Sequence, residues 1–172
     1  MSEEIPEEPT VDSVEEEVPQ LTKRTKPANE NKEIERGYNE TDLIGGKDPY
    51  SASKAAAEIV FSAYSRSYFL SRDNLGAASS RAGNVIGGGD WAIDRIVPDC
   101  IRSIQNETPI KLRNPNATRP WQHVLEPING YLTLGAKLYN NPKKYNGSWN
   151  FGPSTSQTLT VKQVADSIVK YI

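Results

Sequence analysis

The chain has 172 residues, a length that suits one modest domain, with 20 basic and 22 acidic side chains and 36% hydrophobic residues. A formal charge of −2 excludes the strongly basic face that nucleic-acid binding requires. The lone Cys100 excludes an intrachain disulfide, no Cys/His cluster suggests a metal, and no run reaches the roughly 18 apolar residues of a membrane helix.

The charge is unevenly spread. Residues 1–20 hold eight acidic groups and no lysine or arginine, residues 21–36 hold five basic and three acidic groups, and the remainder has a net charge of +4. Residues 1–30 are Glu/Pro-rich with scattered single hydrophobes, which bury too little apolar surface to offset chain entropy, so a disordered acidic tail is expected. With no basic n-region and no apolar h-region at the start, a cytoplasmic location is the expectation.

Residues 31–172 read as one domain, with order expected from about Gly37. Gly45, Gly46 and Pro49 break a loop, after which an alanine-rich helix is predicted from Ser51 to about Leu70, with Ala55, Ile59, Ser62 and Ala63 as one stripe. A short strand is predicted over 76–81, a glycine-rich loop over 83–90, a helix over Pro98–Gln105 and a short strand over Pro109–Leu112. Cys100 reads as a small helix residue facing the core. Leu125–Asn140 has helical periodicity, with Leu125, Ile128, Leu132, Gly135, Ala136 and Tyr139 on one side. A brief strand, Trp149–Phe151, stops at Gly152-Pro153, and Thr160 caps a last helix whose apolar positions run from Val161 to Ile172. Helices alternating with short strands argue an α/β class.

Three segments carry chemistry. Tyr50 and Lys54, four residues apart, stack on one helix face, where an ammonium beside a phenol favours the phenolate and fits it for acid/base work. The run Arg81-Ala82-Gly83-Asn84-Val85-Ile86-Gly87-Gly88-Gly89-Asp90-Trp91 offers glycines able to take φ > 0 and backbone N–H groups able to hold an anion, with Asn84 as donor and acceptor. Arg119 in Arg119-Pro120-Trp121-Gln122-His123-Val124 is suited to clamp a diphosphate bidentately, while Arg113 reads either as a contact to base or ribose or as a surface ion pair. Trp121 reads as core packing, and His123 lacks metal spacing.

The run from Asn31-Lys32-Glu33 through Asp48-Pro49-Tyr50-Ser51…Lys54…Glu58, together with the Arg81–Trp91 string, resembles the extended short-chain dehydrogenase/reductase (NAD-dependent epimerase/dehydratase) family, in its CDP-glucose 4,6-dehydratase branch. The resemblance covers about 140 residues. It implies an α/β fold, the C-terminal part of a Rossmann-like domain with its substrate-binding subdomain and with the first βαβ half missing. It implies Tyr50 as catalytic base and Lys54 as the residue that tunes it and holds the nicotinamide ribose of NAD. Asn84, Arg95 (in Asp94-Arg95-Ile96-Val97-Pro98), Arg113, Arg119 and Asn150 would contact CDP-glucose or a related nucleotide sugar, and His123 would be a site-lining or structural residue.

Two family features have no match. No Gly-x-x-Gly-x-x-Gly turn precedes Tyr50, and the positions that would hold a Thr/Ser-Asp-Lys run read Arg24-Thr25-Lys26-Pro27. The expectation is therefore an incomplete dehydratase without turnover on its own. The alternative is a non-catalytic sugar-nucleotide-binding or dimerisation module. In that reading it forms a homodimer or joins a complete homologue through Ser51–Leu70.

Overall fold

A computed structural model describes residues 39–46, 48–153 and 158–172. The expected acidic tail, the predicted onset of order at Gly37 and the Asn31-Lys32-Glu33 part of the resemblance lie outside the described residues.

Helix α1, Pro49–Tyr64, opens on an Asp48 cap. The Asp48 carboxylate accepts the Ser51 amide at 2.9 Å and the Ser51 hydroxyl at 2.7 Å, and Pro49 occupies the first helical turn, where its missing N–H costs nothing. The helix runs on into one π turn, Ser65–Phe69, so the predicted helix to Leu70 ends in altered geometry. Strands β1 (Ala78–Ala82) and β2 (Asn84–Ile86) follow, then helix α2 (Ile96–Gln105). Asn84–Ile86, read from sequence as glycine-rich loop, is a strand because its backbone finds a partner further along. Strands β3 (Thr118–Arg119) and β4 (Trp121–His123) lead to helix α3 (Leu125–Asn140), a short α4 (Pro142–Tyr145), strands β5 (Gly147–Phe151) and β6 (Leu159–Thr160), and helix α5 (Val161–Tyr171). The Thr160 hydroxyl accepts the Gln163 amide at 3.1 Å while the Gln163 side chain accepts the Thr160 amide at 2.8 Å, a reciprocal cap for α5.

The strands form three pairs. β1 runs parallel to β5, β2 parallel to β4, and β3 antiparallel to β6. Helix α1 lies on one face of the β1–β5 pair, where Glu58 meets Ser79 and Ser148, and α3 lies on the other, where Tyr131 meets Phe151 edge-on with ring centroids 5.2 Å apart. α3 comes this close because Gly130 carries no side chain; a Cβ there would sit 2.3 Å from the Phe151 ring. Helices α2 and α5 pack together, and Cys100 is fully buried in α2.

Three sequence readings are corrected. Pro109–Leu112 forms no strand; it is cavity wall, without a backbone partner, and Pro109 lacks an N–H to give one. On α3 the side bearing Leu125, Ile128, Leu132 and Tyr139 is exposed, and Pro127, Gly130 and Leu134 face inward. On α1, Ala55 is buried but Ile59 and Ala63 point outward. Both helices carry apolar residues around much of their circumference, and small residues, not the largest ones, permit the inward contact.

Candidate functional site

Because Asp48 caps α1 at its first turn, Tyr50 projects beside the β1–β2 corner. It is 63% exposed and lines a cavity of about 510 Å³ with Gly83, Asn84, Gly88, Asp90 and Arg95. Lys54, one turn on, places its ammonium 5.6 Å from the Tyr50 ring centroid. Asn84 opens β2 directly after the chain leaves β1. Beyond β2 the chain turns at Gly89, whose φ of +81° favours glycine, and Gly88 and Gly89 face open space.

A second cavity of about 160 Å³ shares Asn84, Asp90 and Arg95 with the first and adds Asp94, Pro98 and Trp121. A third, of about 910 Å³, shares Asp94 and Ile96 with the second and is walled by Arg102, Thr108, Lys111, Arg113 and Arg119. The three share wall residues in succession and lie as a row, a segmented groove from the cavity lined by Tyr50 to the one lined by Arg119.

Most arginines of the groove face a carboxylate. The Arg95 guanidinium lies 4.0 Å from Asp90, Arg102 bonds Asp99 at 2.5 Å, and Arg113 pairs with Asp94. Arg119 donates to the Thr118 carbonyl at 3.0 Å and has no carboxylate partner among the described residues. Arg113 is therefore both an exposed ion pair and a wall of the groove, so the structure keeps both of its sequence readings open.

Asn150 is placed apart from the other sequence candidates. It is 4% exposed, stands opposite Arg81 in the β1–β5 register, and lines none of these cavities. Trp121 is half-buried, and its indole N–H donates to the Leu159 carbonyl at 3.2 Å while its ring lines the 160 Å³ cavity. His123 Nδ1 accepts the Leu125 amide at 3.3 Å, a structural role at the start of α3. Burial, with the adjacent Asp99 charge, pushes the Cys100 thiol up, which suits an inert core residue.

Sequence reasoning passed over Glu58 and Arg81. Glu58 lies two turns beyond Tyr50 on α1, accepts the Ser79 hydroxyl at 2.8 Å and the Ser148 hydroxyl at 3.2 Å, and comes within 3.7 Å of Arg81, which is 6% exposed. The i, i+4, i+8 spacing of Tyr50, Lys54 and Glu58 was the available signal.

Among the described residues no group of His, Cys, Asp and Glu can hold a metal, and no helix is long and apolar enough to cross a membrane. Of a dinucleotide, these residues suit the nicotinamide end alone. Lys54 offers an exposed ammonium beside Tyr50, but no glycine turn for a pyrophosphate stands before α1.

Comparison with known proteins gives a family and a fold. The model of the NAD dependent epimerase/dehydratase family matches residues 25–150. A curated CDP-glucose 4,6-dehydratase of Salmonella typhimurium is 47% identical over 144 residues, 81% of this chain and 40% of that protein. The dTDP-glucose 4,6-dehydratase of Bacillus anthracis, solved with NAD, superposes with a TM-score of 0.62 at 19% identity, over 83% of this chain and 42% of that one. The UDP-glucuronic acid 4-epimerase of Bacillus cereus, solved with UDP-glucuronic acid and NAD, does so with a TM-score of 0.64 at 16% identity, over 77% and 39%. The chain thus spans about 40% of the length of the relatives it matches.

Proposed function

This chain belongs to the NAD dependent epimerase/dehydratase family, and from that premise we propose that it forms the substrate-binding part of a CDP-glucose 4,6-dehydratase. The observation that carries the reading is the meeting of Tyr50, Asn84 and Arg95 on one cavity, with Arg119 on the wall of the last cavity in the same row. A sugar seated at Tyr50 has its C4 hydroxyl beside the Tyr50 oxygen, which as phenolate takes that proton as the carbon is oxidised. Lys54 holds the phenol and the nicotinamide ribose. Asn84 bonds the sugar or the neighbouring phosphate, Arg95 and Arg119 hold the diphosphate, and Arg113 lies toward the base or ribose. Asn150, buried in β5 and lining none of the cavities, has no ligand contact in this reading. NAD, when bound, supplies the hydride acceptor and donor for a sequence that oxidises C4, eliminates water across C5 and C6, and reduces C6.

In this reading Lys54 meets the nicotinamide end of NAD, and turnover draws on a dinucleotide-binding half. The test combines this chain with the separately produced N-terminal half of the Salmonella relative, NAD and CDP-glucose. The expected result is a 4-keto-6-deoxy product that disappears with Tyr50→Phe, and no product from this chain alone. Product from this chain alone, or product unaffected by Tyr50→Phe, would contradict the assignment.

A second reading has its own observation. Ile59, Val60 and Tyr64 on α1, and Tyr68 in the π turn that follows, are each more than half exposed. Such a face fits a second copy or a complete homologue. Sedimentation of the wild-type chain as a dimer, and of Val60→Glu as a monomer, is the expected outcome for a dimerisation module.

A further inference from the structure

We infer that Asp94 is an internal counter-ion of the groove: its carboxylate competes with the ribose-side phosphate of a bound nucleotide for Arg113. This rests on the nucleotide-sugar reading of the same groove. Asp94 lines both the cavity that adjoins Asn84 and the larger one walled by Arg119, so its carboxylate borders both. Its side chain reaches Arg113, nineteen residues on, and so ties the segment after Gly89 to the segment before β3.

Two further features mark the position. Asp94 has φ +67°, a left-handed conformation that a Cβ disfavours and that aspartate tolerates better than most residues. A strained residue that aims a charge at a binding groove is a pattern found at ligand-responsive positions. The pair is also solvent-exposed, 77% for Arg113 and 70% for Asp94, so it is weak and exchangeable. The ribose-side phosphate of an incoming nucleotide offers the guanidinium fork charged oxygens as the carboxylate does, and the diphosphate it belongs to is held by Arg119 as well. Arg119, with no carboxylate partner among the described residues, is the fixed point of attraction, and Arg113 is the regulated one. The consequence is moderated affinity: the ligand must displace Asp94, and Asp94 helps to expel it.

The test is calorimetric titration of CDP-glucose into the full chain, as wild type, Asp94→Asn, Arg113→Gln and the double variant. Asp94→Asn is expected to bind about two- to fivefold more tightly, the range an exposed ion pair supplies. Arg113→Gln is expected to bind more weakly, and adding Asp94→Asn to it should give no further gain. Asp94→Gly, which suits the backbone angle, should match Asp94→Asn and guards against a folding defect. Unchanged affinity in Asp94→Asn, or equal tightening with and without Arg113, would overturn the counter-ion role while leaving the site intact. Absence of CDP-glucose binding in every form would overturn the nucleotide-sugar reading as well.

Discussion

The two faces of the β1–β5 pair are built by different means. Toward α3 the contact is apolar, with Phe151 against Tyr131 and Gly130. Toward α1 it is polar and buried, with Ser79, Ser148 and Arg81 gathered around Glu58 and Asn150 beside them. Packing is tolerant of small rotations, whereas directed bonds are not. The helix that presents Tyr50 and Lys54 is thus fixed in azimuth by hydrogen bonds, and the opposite helix is fixed mainly by volume. This accounts for a polar layer that contributes little net stability yet anchors the helix that carries Tyr50 and Lys54.

The largest expected effect probes the apolar face. Phe151→Ala should cost about 3–5 kcal/mol in a denaturant titration. On the polar face, Glu58→Ala should cost about 3 kcal/mol, because it leaves Arg81 buried without a counter-charge. Replacing Glu58 and Arg81 together by methionine should restore most of that stability but weaken CDP-glucose binding, since α1 would lose its directed anchor. If the double variant bound as well as wild type, the contrast between the faces would have no functional meaning. Thr160→Ala, which removes the α5 cap, should cost about 1 kcal/mol and leave CDP-glucose affinity unchanged.

The smallest effect concerns the cap of α1. Hydrogen bonds from the Ser51 hydroxyl and amide hold the Asp48 carboxyl below its ordinary value of 3.8. A carboxylate lowered by folding stabilises above that ordinary value, and the contribution disappears as pH falls through the lower folded-state value. The protection factor of the first turn of α1, the intrinsic exchange rate at each pH divided by the observed rate, should therefore fall at acid pH in wild type. In Asp48→Asn that particular fall should be absent.

Much of this organisation is legible in the sequence. The α3 limits, the Thr160 cap and the Tyr50-Lys54 helix follow from periodicity and capping residues, which are local. The inward faces of α1 and α3 are not, because Gly130 and Glu58 gain their roles only when Phe151 and Ser148 are brought against them from distant sequence. The pairing of Asp99 with Arg102 follows from helix spacing, but that of Asp94 with Arg113 depends on two loops meeting. Asn84–Ile86 looked like loop because its partner, β4, lies some thirty-seven positions away in register.

The groove itself is tested most directly by hydrogen exchange of the full chain with and without CDP-glucose. Slower exchange confined to residues 83–95 and 110–119, with α3 unchanged, is the expected result. Protection that falls on α3 instead, or no protection anywhere, would contradict a nucleotide-sugar site between Tyr50 and Arg119.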